Sequence, residues 1–104
     1  MNNELTREKI LDMIKKSREQ LDSLGVVSIG LFGSFAKGQA DKNSDVDILV
    51  DFDPAKKNYD NFYDTCCLLE KLFKRKVDVV TRESLSPYIG PYILKEVEYA
   101  TLSS

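Results

Sequence analysis

Residues 45–53, Asp-Val-Asp-Ile-Leu-Val-Asp-Phe-Asp, alternate with period two. Val46, Ile48, Val50 and Phe52 fall on one face, and Asp45, Asp47, Asp51 and Asp53, with Leu49, on the other. That alternation predicts a β-strand with one face in a core. Pro54 ends it. Asp is a poor strand former, so four aspartates on one strand oppose local preference. Such a conflict is expected where a residue serves function rather than folding. Asp45 and Asp47 share a face with Cα atoms roughly 6.6 Å apart at about 3.3 Å per residue. Two carboxylates so close repel each other unless something positive lies between them, and hard divalent cations take carboxylate oxygens. An exposed polar edge is the alternative reading of this pair.

The rest of the chain supplies helices and two more strands. From Thr6 to about Leu24, Ile10, Ile14, Leu21 and Leu24 recur at helical spacing among charged residues, with Thr6 as a cap and Gly25 as a stop. Residues 26–32, Val-Val-Ser-Ile-Gly-Leu-Phe, predict a strand buried on both faces. Gly33-Ser34 breaks it, residues 35–37 predict a short helix stopped by Gly38, and a polar turn runs through 41–44. Residues 60–73 return to helical spacing, with Phe62, Cys66, Leu69 and Phe73 as one stripe. Residues 77–80, Val-Asp-Val-Val, predict a third strand, and Pro91 suits the first turn of a last helix carrying Ile93, Leu94 and Val97. The fold class expected is α/β (α+β): a small mixed sheet of at least three strands flanked by helices. A chain of 104 residues, 42% hydrophobic, builds one compact domain, 1–104, with a single core.

Charge and composition exclude several functions. The net charge of -2 conceals seven acids against three bases between Asp41 and Asp64. No broad basic excess exists, so direct nucleic-acid binding is not expected. Lys71, Lys74, Arg75 and Lys76 read as the charged end of a helix. The adjacent Cys66 and Cys67 point in different directions on a helix, so they read as free thiols, buried or half-buried, with no metal-ligand spacing. With no histidine, a Ser-His triad, an imidazole base and a histidine metal ligand are all excluded. Neither a signal peptide nor an apolar run of membrane-spanning length is visible, which predicts a cytoplasmic protein.

Three stretches then combine. Asp78 stands between Val77 and Val79 in a strand fit for burial, where a carboxylate needs a partner. If that strand lies beside the Asp45 strand, Asp78 completes a three-carboxylate, two-metal site. Gly33-Ser34 supplies the opposite polarity, because backbone N–H groups at a strand-to-helix turn accept an anion, and glycine lets a phosphate approach closely. Alone, that dipeptide is an ordinary turn. Together the parts suit nucleotidyl transfer, in which a turn holds a triphosphate and metal ions stabilise the attacking and leaving oxygens. No protein nucleophile is needed.

Residues 30–38, Gly-Leu-Phe-Gly-Ser-Phe-Ala-Lys-Gly, followed by 44–50, Ser-Asp-Val-Asp-Ile-Leu-Val, resemble the minimal nucleotidyltransferase family of the DNA polymerase β superfamily. The shared pattern is Gly-Ser, ten intervening residues, Asp-x-Asp and a later Asp in a short apolar strand, and it covers nearly the whole chain. The resemblance implies a polymerase β-like core in which Gly33 and Ser34 bind the triphosphate of ATP. It also implies that Asp45 and Asp47 ligate two Mg2+ ions, and that Asp78 ligates the catalytic one and helps activate the acceptor. Lys37 stands where many members carry Arg, and Gln39 where many carry Glu. Lysine keeps the positive charge near the phosphates but lacks the bidentate fork.

Family members this short are often encoded beside a HEPN-domain protein. The resemblance therefore implies an antitoxin that adenylylates a tyrosine of a HEPN ribonuclease toxin. Neutralisation of that partner by binding alone is the second reading. Transfer to a small molecule, as in the aminoglycoside nucleotidyltransferases, is a third, and those enzymes use additional protein to hold the drug. The apolar and aromatic residues 87–94 are a candidate contact surface, or else ordinary helix packing onto the sheet.

Overall fold

In a computed structural model, residues 4–100 are described. Their element order is α1 (Arg7–Lys16), α2 (Arg18–Ser23), β1 (Val26–Phe32), α3 (Gly33–Ala36), β2 (Val46–Phe52), α4 (Tyr59–Phe73), β3 (Val77–Thr81), α5 (Gly90–Glu96) and β4 (Glu98–Tyr99). A 3-10 turn (Arg82–Ser84) follows β3. The four strands form one mixed sheet in the order β3-β2-β1-β4. β1 pairs antiparallel with β2 and β4, while β2 pairs parallel with β3. A parallel pair needs a crossover, and α4 provides it.

The expected first helix is two. Thr6 caps α1, its Oγ1 accepting from Lys9 N–H at 3.2 Å. The helix then breaks at Ser17, whose N–H bonds Ile14 O at 3.0 Å, and α2 resumes one residue later. The break lets the apolar stripe turn with the sheet: Ile10, Ile14 and Leu21 are all fully buried against Ile29, Leu31, Ile48 and Val50. Leu69 and Phe73 of α4 join them on the same face. Gly25, at φ +90°, ends α2 as expected.

Two details depart from the sequence reading and one adds to it. β1 is not buried throughout, since Val27 is exposed where a bulge between Val26 and Ser28 shifts the pairing with β2. α3 begins at Gly33 rather than Phe35. The fourth strand, β4, is two residues long, below the length at which alternation can be read, and its partner Gly30 lies far away in the chain. Cys66 is half-buried and Cys67 exposed, both as free thiols.

The helical core lies on one side of the sheet. The other side carries Phe32, Asp47 and Asp78 in one row and Gly30, Leu49 and Val80 in the next. It is this second side, only partly covered by the end of α5, that holds the polar residues.

Candidate active site

The site begins with register. β1, β2 and β3 place Phe32, Asp47 and Asp78 at one level, so Asp47 has Asp78 as its direct neighbour on the adjacent parallel strand. Neighbouring strands lie about 4.8 Å apart, well within the span of two carboxylates sharing a cation. Asp45 precedes β2 by one residue and is exposed. The three side chains expected to meet are thus neighbours at one end of the sheet.

Their charges act on each other. Burial, and then the negative charges of Asp78, Asp45 and Glu96, raise the Asp47 carboxyl above its ordinary value. In their present rotamers no three Asp, Glu or Cys side chains among the described residues close on one point as a ligand set. Like charges favour rotamers that keep them apart, and rotation about two side-chain torsions per aspartate changes where the oxygens lie. The donor set is all oxygen, as Mg2+ and Ca2+ prefer, and the repulsion that adds to burial in raising Asp47 is what a divalent cation removes. The residues fit such an ion.

One part of the reasoning for Asp78 fails. It is exposed, because β3 is the edge strand of the sheet, so burial does not force a partner on it. Its place rests on register with Asp47 alone.

Opposite the aspartates lies the turn. Gly33 has φ +76°, a conformation that L side chains rarely adopt. A Cβ there would overlap the Asp47 carboxylate, so glycine is required both by the backbone and by the carboxylate packed against it. Ser34, half-buried, opens the same turn. Lys37, exposed, closes it, its backbone N–H bonding Gly33 O at 3.2 Å. All six residues expected at the site, Gly33, Ser34, Lys37, Asp45, Asp47 and Asp78, therefore lie around one end of β1, β2 and β3.

Two further residues belong there. Glu96, the last residue of α5, accepts from Gly33 N–H through Oε1 at 3.4 Å and pairs through Oε2 with Lys37 Nζ at 3.2 Å. Arg75 donates from Nη1 to Ser44 O at 2.7 Å and to Asp41 O at 3.3 Å, and its guanidinium lies 5.0 Å from the centre of the Phe35 ring. It ties the loop that delivers Asp45 to the residue that follows Ser34. Neither shows in the sequence: Glu96 is one acid at the end of a helix that reads by its apolar residues, and Arg75 sits in a basic segment that reads as a helix end. The apolar residues of 87–94 do not pack onto the sheet as a group. Tyr88, Ile89 and Tyr92 are 83%, 59% and 74% exposed, which leaves them as surface.

A mixed sheet with a Gly-Ser turn facing in-register aspartates is an arrangement suited to nucleotidyl transfer, and comparisons with known proteins show the family. The family model for the nucleotidyltransferase domain matches residues 11–101, and the chain belongs to that family. A relative from Methanocaldococcus jannaschii, provisionally named a protein adenylyltransferase, is 38% identical over 97 residues, covering 89% of this chain and 92% of its own length. Protein adenylyltransferase MntA of Thermococcus cleftensis is 38% identical over 96 residues, covering 91% and 96%. Among solved structures, a minimal nucleotidyltransferase superposes with a TM-score of 0.71 at 28% identity, over 93% of this chain and 98% of that one. A toxin–antitoxin structure containing AMP-PNP superposes at 0.65 and 22% identity, over 93% and 73%, which shows a shared fold. The chain is a nucleotidyltransferase of the minimal type.

Proposed function

We propose that this protein transfers AMP from Mg-ATP to a tyrosine hydroxyl of a HEPN-domain partner, and that it thereby acts as the antitoxin of that partner. The observation carrying the reading is the level pairing of Asp47 with Asp78 opposite Gly33, whose missing Cβ makes room for the Asp47 carboxylate against the turn. Support for the acceptor being a protein comes from the names of the relatives and from the size of the fold. The described residues form one sheet with its helices and offer no second lobe to enclose a small acceptor.

In this reading the acceptor oxygen attacks the α-phosphorus, the bond from that phosphorus to the bridging oxygen breaks, and pyrophosphate leaves. Two Mg2+ ions held by Asp45, Asp47 and Asp78 would supply charge neutralisation for both oxygens. Gly33 N–H, the Ser34 hydroxyl and Lys37 orient the β- and γ-phosphates. Asp78, exposed at the sheet edge, is open to the acceptor and takes its proton. No group of the protein becomes covalently modified.

Incubation with ATP, Mg2+ and the partner encoded nearby should increase the partner's mass by one AMP, located on tyrosine by fragmentation. An unmodified partner at saturating ATP removes the reading. The exposed Tyr88, Ile89 and Tyr92 favour a second one, neutralisation by binding alone. It requires that the double variant Asp45→Asn, Asp47→Asn still protect cells from the toxin; loss of protection with the complex intact excludes it.

A further inference from the structure

We propose that Glu96 is a selectivity gate on the phosphate-binding turn: its carboxylate already holds the Gly33 N–H and the Lys37 ammonium, so only a metal-carried polyphosphate displaces it. The inference rests on the reading that this turn receives the triphosphate, and it adds the residue that decides which anions enter.

The carboxylate spans the turn as a phosphate would. One oxygen is placed on the backbone donor at 3.4 Å and the other on the lysine at 3.2 Å. Both contacts are suited to exchange. The hydrogen bond is long for N–H···O. The ion pair is half-exposed, with side-chain exposures of 51% for Lys37 and 31% for Glu96, and such pairs contribute little net stability. The backbone beneath is fixed, however. Just after Glu96, Val97 packs so closely on Gly30 that a Cβ there would clash with it. Glu98 and Tyr99 then pair with Leu31 and Gly30 in the sheet. Opening the gate is therefore a rotation of one side chain and leaves α5 in place.

Charge makes the gate selective. A bare anion approaching the turn meets the carboxylates of Glu96, Asp45, Asp47 and Asp78, while the Lys37 ammonium is already paired with Glu96. An anion arriving with divalent cations is attracted by the same aspartates, and the attraction offsets the loss of the Glu96 contacts. Orthophosphate, pyrophosphate and metal-free nucleotide are excluded on this account, although each would fit the donors.

The test is calorimetric titration of the whole protein, its Glu96→Gln and Glu96→Ala variants, and Glu96→Gln combined with Lys37→Ala. One probe is pyrophosphate with EDTA; the other is a non-hydrolysable ATP analogue with Mg2+. Circular dichroism confirms folding of each. Removing the Glu96 charge in Glu96→Gln, and the acceptor as well in Glu96→Ala, should tighten metal-free pyrophosphate binding about tenfold or more in both single variants, and Mg-nucleotide binding by about threefold or less. The double variant should return pyrophosphate binding to the wild-type level. Unchanged pyrophosphate affinity in both single variants overturns the gate, as does weaker Mg-nucleotide binding, which would make Glu96 a ligand instead. If neither the wild type nor any variant binds Mg-nucleotide, the triphosphate reading fails, and the gate with it.

Discussion

Asp47 and Asp78 stand directly opposite each other on neighbouring parallel strands, and Asp47 in turn packs against Gly33. Three segments far apart in the chain thus meet at Asp47. The sheet order β3-β2-β1 is what brings them together, and the α4 crossover is what makes β3 the neighbour of β2.

Replacing Asp47 by Asn should separate stability from activity. Burial and the surrounding carboxylates raise this carboxyl in the folded state, so the fold prefers it protonated. Below the unfolded value near 3.8 both states carry the proton and no cost arises. As pH rises through the raised folded value, ionisation takes stability away. Asp47→Asn should therefore melt higher than wild type at pH 7, with the difference vanishing toward pH 3. Transfer of AMP should fall by about a hundredfold or more. Thermal melts at several pH values and a radiolabelled AMP assay check both, and a variant that melts lower at pH 7 contradicts the assignment.

Gly33→Ala should fail twice over. The positive φ costs about 1–2 kcal/mol for a residue with a Cβ. That Cβ also pushes the Asp47 carboxylate out of place. A drop in denaturation midpoint together with lost nucleotide binding is expected. Gly38, also at positive φ but with open space around it, should show the backbone cost with binding retained.

Asp78→Asn should leave the fold alone, because the side chain is exposed on the edge strand. A stability change within about 0.5 kcal/mol is expected, as for other surface substitutions. The rise in melting temperature that Mg2+ with nucleotide brings to the wild type should be reduced or lost. A full metal-dependent rise in the variant would remove Asp78 from the site.

Arg75 makes its own case. Arg75→Ala removes two charge-assisted bonds to the carbonyls of Asp41 and Ser44 and the contact with Phe35. A loss of about 1–3 kcal/mol follows. Amide hydrogen exchange should speed up in residues 41–45, which deliver Asp45, and Arg75→Lys should restore only part of the protection because it lacks the fork. Unchanged exchange in that loop would show that Arg75 does not hold it.

Much of this was legible in the chain because its signals are local. Period-two alternation located β2 almost to the residue, and Gly33-Ser34 and the aspartates identified themselves by breaking the preferences of their surroundings. The stripe of Ile10, Ile14 and Leu21 correctly located the helical core face, but its continuity hid the break at Ser17, which comes from packing on a twisted sheet. The Asp78 strand does lie beside the Asp47 strand, but the reason given for a partner at Asp78 does not hold, since burial is expected there and the side chain is exposed at an edge. Glu96, Arg75 and β4 were invisible for one cause. Each matters through a partner distant in sequence, Gly33 and Lys37, Ser44 and Phe35, and Gly30, and no local pattern records such pairs.

Crystals soaked with Mn2+ and a non-hydrolysable ATP analogue test the central claim most directly, since anomalous scattering locates the ions. Two peaks about 3.5–4 Å apart are expected, bounded by oxygens of Asp45, Asp47 and Asp78 and by the analogue's phosphates. The Gly33 N–H should then donate to a phosphate oxygen in place of Glu96. Ions bound away from Asp47, or a triphosphate seated elsewhere while Asp78 turns from it, would contradict the account.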